Sequence, residues 1–242
     1  MNISKNVENT VMRLPTGQVF GYAEIPNYLT SPAAVIKAIS RMVKDQKLKR
    51  VSKGKFYVPK QGLLGPRKPS DDELIRSVLY KGGRLYGYIT GLALYNKLGL
   101  TTQIPRTVTV ACNGSRITKE FGTIKVKTIV TPAPVKKQDV KLLQFLDVLK
   151  EIKKIPDSDI NQTLKIMRRN ISGLNTKKLM RIVSLAKQYY SAQTRALAGL
   201  LISDVRAELS IKSQLALNPS TIYKLKLDNN KWPQAKQWNI QS

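Results

Sequence analysis

At 242 residues, with 42 Lys and Arg against 15 Asp and Glu, the chain carries a formal net charge of +27, a field that favours polyanionic partners and says little about fold. It has no histidine and a single cysteine, Cys112, which excludes a Ser-His-Asp or Cys-His catalytic set, a His/Cys zinc site and an internal disulfide. Met1-Asn-Ile-Ser-Lys lacks the apolar core of a signal peptide, and no run approaches the ~20 apolar residues of a membrane-spanning helix. The expectation is a cytoplasmic protein with no membrane partner.

In chain order, Val7, Val11 and Leu14 repeat at helical spacing and predict a helix over about 7–14. Thr16-Gly17 turns the chain into a short strand at Val19-Phe20, and Ala23 to Tyr28 reads as a short helix disturbed by Pro26. Ser31 is placed to cap, and Pro32 to open, a helix running to about Gln46. Its expected buried residues are Val35, Ile36, Ile39, Met42 and Val43. Lys47 to Val58 then reads as two strands around Ser52-Lys53-Gly54, packed through Leu48, Val51, Phe56 and Val58.

Helix, short helix, capped helix and basic hairpin follow in the order of a winged helix-turn-helix spanning Asn2 to Pro59. Residues 37–68 hold 11 Lys and Arg against one acid, Asp45. On the capped helix Lys37, Arg41 and Lys44 lie off the apolar stripe, where they can reach base edges or phosphates. Lys49, Arg50, Lys53 and Lys55 decorate the hairpin, as a phosphate-binding wing requires. The partner this arrangement points to is double-stranded DNA. RNA binding is an alternative, weakened by the lack of an aromatic platform for unpaired bases.

Gln61 to Pro69 concentrates glycine and proline and reads as a linker. Ser70, followed by Asp71-Asp72-Glu73, predicts a helix start, with the helix ending near Lys81 and Gly82 as its C-cap. A further helix is expected after Thr90, carrying Leu92, Tyr95 and Leu98. Strands are expected at 107–111 and 123–130, with a turn at Asn113-Gly114. Pro132 and Pro134 mark a second boundary, after which residues 138–217 are helical in period. Asn218 onward, with Trp232 and Trp238, reads as a docked tail. The expected fold class is α+β and predominantly helical: a winged helix-turn-helix over 1–60, an α/β middle region over 69–135, a C-terminal helical bundle over 136–217, and a tail over 218–242.

No catalytic, cofactor-binding or metal-binding residue is assigned, and the expectation is a non-enzyme. Asp71-Asp72-Glu73 is explained by the helix start, Asp157 and Asp159 by capping, and Gly82-Gly83-Arg84 is too short for a phosphate loop. Lys153-Lys154, Arg168-Arg169 and Lys177-Lys178 with Arg181 read either as a solvated helix face or as a basic surface for an acidic protein or tRNA.

The runs Gly17-Gln-Val-Phe, Ala34-Val-Ile-Lys-Ala-Ile-Ser-Arg-Met-Val and Lys47-Leu-Lys-Arg-Val-Ser-Lys-Gly-Lys-Phe-Tyr-Val-Pro resemble the N-terminal domain of the AbiEi-type antitoxins. So do Gly65-Pro-Arg-Lys-Pro-Ser and Thr90-Gly-Leu-Ala-Leu-Tyr-Asn-Lys-Leu-Gly-Leu-Thr-Thr-Gln-Ile-Pro, and the resemblance covers roughly residues 10–135. It implies the antitoxin of a bacterial abortive-infection toxin–antitoxin pair, a phage-defence system, that represses its own promoter and counteracts a nucleotidyltransferase-like toxin. By position it implies Ser31, Lys37, Arg41, Lys44, Lys49, Arg50, Lys53 and Lys55 as the DNA-contacting residues, and no cofactor. A winged-helix regulator without a toxin partner is the alternative.

Overall fold

Val7 and Val11 lie on one stripe of the first helix, and the first core of the protein begins there. In the computed structural model the chain is mixed α+β, and the structure describes residues 3–63, 65–212 and 214–241. Asn2 and Leu64, which fall in the expected winged domain and linker, lie outside the described residues. The chain divides into two units, residues 1–87 with 117–127 and residues 88–116 with 128–242. The sequence boundaries near 60 and 135 do not coincide with this division.

The first unit opens with α1 (Ile3–Met12), β1 (Val19–Gly21), two 3-10 turns (Tyr22–Glu24 and Pro26–Tyr28), α2 (Pro32–Lys44), β2 (Lys49–Ser52) and β3 (Lys55–Tyr57). Pro26 cannot donate to a continuing helix, so the expected short helix becomes two separate turns. Val7 and Val11 of α1 pack with Val35, Ala38, Ile39 and Met42 of α2, together with Phe20, Leu48, Phe56 and Val58. The strands form an antiparallel sheet in the order β1-β3-β2, with Phe20 opposite Phe56 and Arg50 opposite Phe56 on the other side. Val51 is the extra residue of a bulge between Arg50 and Ser52, which leaves it only half-buried. Gly54 turns the β2–β3 hairpin at φ +72.

Two readings of α2 need correction. Ser31 stands at the N-cap position, but its side chain makes no capping hydrogen bond. Ile36 is not a core residue, being 40% exposed. The buried stripe runs through 35, 38, 39 and 42, and at 100° per residue position 36 falls on its flank, about 110° from its centre.

The expected linker is a second hairpin, β4 (Lys60–Gly62) with β5 (Gly65–Arg67), which places Lys60 opposite Arg67. Gly65, at φ +100, supplies a turn conformation that other residues avoid, and Pro66 is tolerated in an isolated two-stranded ribbon. Next comes α3 (Asp71–Leu79), capped by Ser70 Oγ, which accepts from the Glu73 amide. Gly82 does not end that helix. Gly82 and Gly83, both at positive φ, form the tight turn between β6 (Tyr80–Lys81) and β7 (Arg84–Leu85).

The second unit contains β8 (Gly87–Thr90), α4 (Leu92–Lys97) and β9 (Thr107–Cys112). β11 (Lys125–Val130) enters this unit at Thr128, whereas β10 (Thr118–Glu120), which pairs with residues 125–127 of β11, belongs to the first unit; β9 lies between β8 and β11. Then come α5 (Val140–Lys150), α6 (Ile160–Ser172), α7 (Thr176–Tyr189) and α8 (Ala192–Val205). α5, α6 and α7 all pack on α8, whose residues 196–202 are buried without interruption, as expected of a helix that is apolar all round.

Residues from 218 onward are packed in the second unit, with Trp232 and Trp238 both buried. They carry β12 (Tyr223–Lys224) and β13 (Ile240–Gln241), paired in parallel. Tyr223, Leu225, Leu227, Trp232 and Trp238 are buried in the same core as α5 to α8. No helix among the described residues is long and apolar enough to cross a membrane.

Candidate nucleic-acid interface

The burial of one face of α2 dictates what the other presents. Ala33, Ile36, Lys37, Ser40, Arg41 and Lys44 are exposed along a helix of 13 residues, about 20 Å long. Among the described residues none of Lys37, Arg41 and Lys44 is ion-paired, so their charge faces solvent. Arg41 and Lys44 also lie in the last turn, where the helix dipole favours a cation.

The neighbouring hairpin adds Arg50 and Lys53, both exposed. Arg50 Nε donates to the Ser52 carbonyl at 3.3 Å, which braces the side chain along the ribbon. Lys49 and Ser31 are half-buried. Lys55 differs most from the expectation: it is half-buried, with Nζ 3.7 Å from Glu24 Oε1, so part of its charge is used inside the fold. The unit thus presents five of the eight expected residues openly on α2 and the β2–β3 hairpin, and holds Ser31, Lys49 and Lys55 back.

Aromatic packing holds this geometry. Tyr22 stacks on Tyr28 with ring centroids 5.7 Å apart and meets Phe56 edge-on at 5.2 Å. The turns before α2 are therefore fastened to the hairpin after it, and the rings that could stack bases are used internally.

Sequence reasoning missed further cations in the same unit. Lys60, Arg67 and Lys68 are exposed on and beside the β4–β5 hairpin and, with Arg76 and the turn at 15–18, line an open cleft of about 540 Å³. The signal was present, because all three lie in the densest basic stretch, but Gly62, Gly65 and Pro66 suggested a linker. Lys119 of β10 is half-buried, and burial lowers its pKa from the ordinary lysine value, with Lys55 and Lys81 adding repulsion. Lys55 and Lys81, from strands distant in sequence, are thereby each brought within electrostatic reach of Lys119.

In the second unit the basic clusters are partly consumed. Arg181 donates Nε and Nη2 to buried Asp139 at 3.1 and 2.7 Å, and Arg168 pairs with Asp204 at 2.8 Å. Asp159 caps α6 as expected, through the Gln162 amide, whereas Asp157 accepts from Gln103 Nε2. The main polar cluster centres on Asp147, whose Oδ2 accepts from Tyr88 and Thr90 at 3.0 and 2.8 Å and whose Oδ1 accepts from Tyr190 at 2.9 Å. Burial pushes this carboxyl above the usual range while the three hydroxyls pull it back. Both oxygens are engaged, which suits a structural hub better than a reacting group. Among the described residues no three His, Cys, Asp or Glu side chains are grouped as a metal ion needs.

A family model described as "Family of unknown function (DUF6088)" matches residues 6–173. The chain belongs to this family. The DUF6088 match takes in α2, both basic hairpins and Asp147, and stops at the end of α6. None of the curated proteins matches the chain. A solved structure, the crystal structure of RV2827C protein from Mycobacterium tuberculosis, aligns with a TM-score of 0.49 at 14% identity, covering 92% of the DUF6088 chain and 84% of its own.

Proposed function

We propose that this DUF6088 protein binds double-stranded DNA in a sequence-selective way through a winged helix-turn-helix formed by residues up to about Pro59. The observation that carries the reading is the pairing of one topology with one charge pattern. α1, β1, two short turns, α2 and the β2–β3 hairpin occur in the order of a winged helix, with the sheet order β1-β3-β2. The exposed side of α2 and the hairpin tip carry Lys37, Arg41, Lys44, Arg50 and Lys53 against the single acid Asp45.

In this reading α2 enters the major groove, whose ~12 Å width admits a helix, and Lys37 and Arg41 reach base edges. Arg50 and Lys53 hold phosphates and set the register. The resemblance to AbiEi-type antitoxins extends the proposal. The DNA is the protein's own promoter, binding represses it, and a nucleotidyltransferase-like toxin encoded alongside is the second partner.

A mobility-shift titration against the upstream DNA of its own gene, with scrambled duplex as competitor and salt varied, tests the proposal. Selective binding that is lost in Lys37→Ala/Arg41→Ala is the expected result, since one bidentate arginine–guanine contact is worth about 1–3 kcal/mol of discrimination. Binding that ignores sequence and vanishes with salt would overturn it. A nucleotidyltransferase gene beside its own, and rescue from that enzyme's toxicity on co-expression, would test the toxin arm separately.

A further inference from the structure

Ile36 is out of place for an ordinary surface position. It sits in the first half of α2, between Ala33 and Ser40 on the solvent side, 40% exposed, and one position before Lys37. Ala33, one turn earlier on the same side, is also exposed and is a small residue. Leu29, just before the helix, is 91% exposed. Single exposed aliphatics are common and need no explanation. This one lies within the face whose other exposed members are cations or small residues, and its burial would require a partner that also accepts Lys37 and Arg41.

A protein partner able to bury Ile36 would have to place acids around it. A DNA major groove supplies the anionic surround from its phosphates, and it offers one apolar feature to a side chain, the C5-methyl of thymine. We infer that Ile36, with Ala33 beside it, is a specificity-determining contact that reads a thymine methyl, so the preferred duplex contains an A·T pair under the first half of α2. The inference rests on the winged-helix reading and adds what the helix reads.

The test uses the full chain and a duplex selected from a randomised pool by binding. Each thymine in the selected site is replaced in turn by deoxyuridine, which removes the methyl and keeps every hydrogen-bonding group. Wild-type protein is expected to lose about fourfold in affinity at one thymine, the factor that corresponds to burying one methyl group. Ile36→Ala should bind the thymine and uridine duplexes equally. Selective binding by the wild type with no loss at any uridine overturns this inference and leaves the winged helix standing. A thymine effect that persists in Ile36→Ala assigns the methyl to another residue and overturns it too. If selection yields no preferred duplex, the inference falls together with the reading beneath it.

Discussion

Glu73 Oε1 accepts the backbone N–H of Val19 at 2.6 Å, across 54 residues of sequence. The same carboxylate holds Arg76 through Nε at 2.6 Å and Nη2 at 2.7 Å, and Arg76 Nη2 donates in turn to the Val19 carbonyl at 3.2 Å. Val19 belongs to β1, one of the two edge strands of its sheet, and both of its outward backbone groups are satisfied by side chains of α3. An edge covered in this way cannot template a second chain. Glu73→Ala should therefore cost about 1–3 kcal/mol, because it strands a backbone donor and a guanidinium together. Urea unfolding of the variant checks this, and a change within about 0.5 kcal/mol would mean that water replaces the carboxylate.

Arg50 and Lys53 differ from Lys37 and Arg41 in what their loss should do. If the hairpin holds phosphates, Arg50→Ala and Lys53→Ala weaken binding to selective and scrambled duplexes alike. Each lowers the slope of log affinity against log salt by about 0.9. Fluorescence anisotropy at four or five salt concentrations measures both quantities. A loss confined to the selective duplex would move these residues from the backbone to the bases.

Lys119 carries its charge at a cost to the fold. Its pKa is lowered in the folded chain by burial first and by Lys55 and Lys81 after it. The folded state thus binds its proton less readily than the unfolded one, and the charged form works against stability at all pH values below the lowered value. Lys119→Met should raise the unfolding midpoint at pH 7 by about 1–2 °C and weaken DNA binding if this cluster meets phosphate. Differential scanning calorimetry with a parallel anisotropy titration separates the two effects, and a fall in the midpoint would refute the repulsion.

Asp147 has the opposite sign of pH dependence from a salt-bridged carboxylate. Burial raises its pKa in the folded chain above the ordinary value of about 3.9. Its contribution to stability is full below that ordinary value and declines as pH rises through the raised one. Asp147→Asn is uncharged throughout, so the stability of the wild type minus that of the variant should fall as pH increases from about 4. Urea titrations of both proteins across that range measure the difference, and a flat line would show that the hydroxyls of Tyr88, Thr90 and Tyr190 fully offset desolvation.

Gly199 and Trp238 are locked together. A β-carbon on Gly199, within α8, would come within 2.1 Å of the Trp238 indole, and the ring is buried with nowhere to retreat. Gly199→Ala should destabilise the second unit by about 2–4 kcal/mol despite alanine's better helix propensity. Loss of near-ultraviolet circular dichroism on mild heating would report it. Trp238→Ala is itself destabilising, but Gly199→Ala should cost less in a Trp238→Ala background than in the wild type because the clash is gone, and strict additivity of the two losses would place the strain elsewhere.

Much of the candidate interface was legible because its signals are local. Pro32 opening α2, Gly54 turning the hairpin and Ser70 with Glu73 at the start of α3 act within a few residues of themselves. Ser70 and Glu73 have the spacing of a reciprocal capping pair. Only half of that pair forms, because the Glu73 carboxylate is drawn to Val19, a choice the local spacing does not encode. Gly62, Gly65 and Pro66 suit a linker and a ribbon equally well, and only the pairing of Lys60 with Arg67 decides between them.

By itself the sequence determined the charge of +27, the absence of histidine chemistry, the starts of α2 and α3, and the basic density of residues 37–68. These follow from composition and from hydrogen bonds and backbone preferences a few residues long. The tertiary structure decided that Ala38, and not the expected Ile36, completes the buried stripe of α2 where that helix packs with α1. It also decided that Lys55 turns to Glu24, that Lys119 joins Lys55 and Lys81, and that Trp238 closes on Gly199. Each of these joins residues distant in the chain, and contacts of that kind depend on packing that no short stretch of sequence contains.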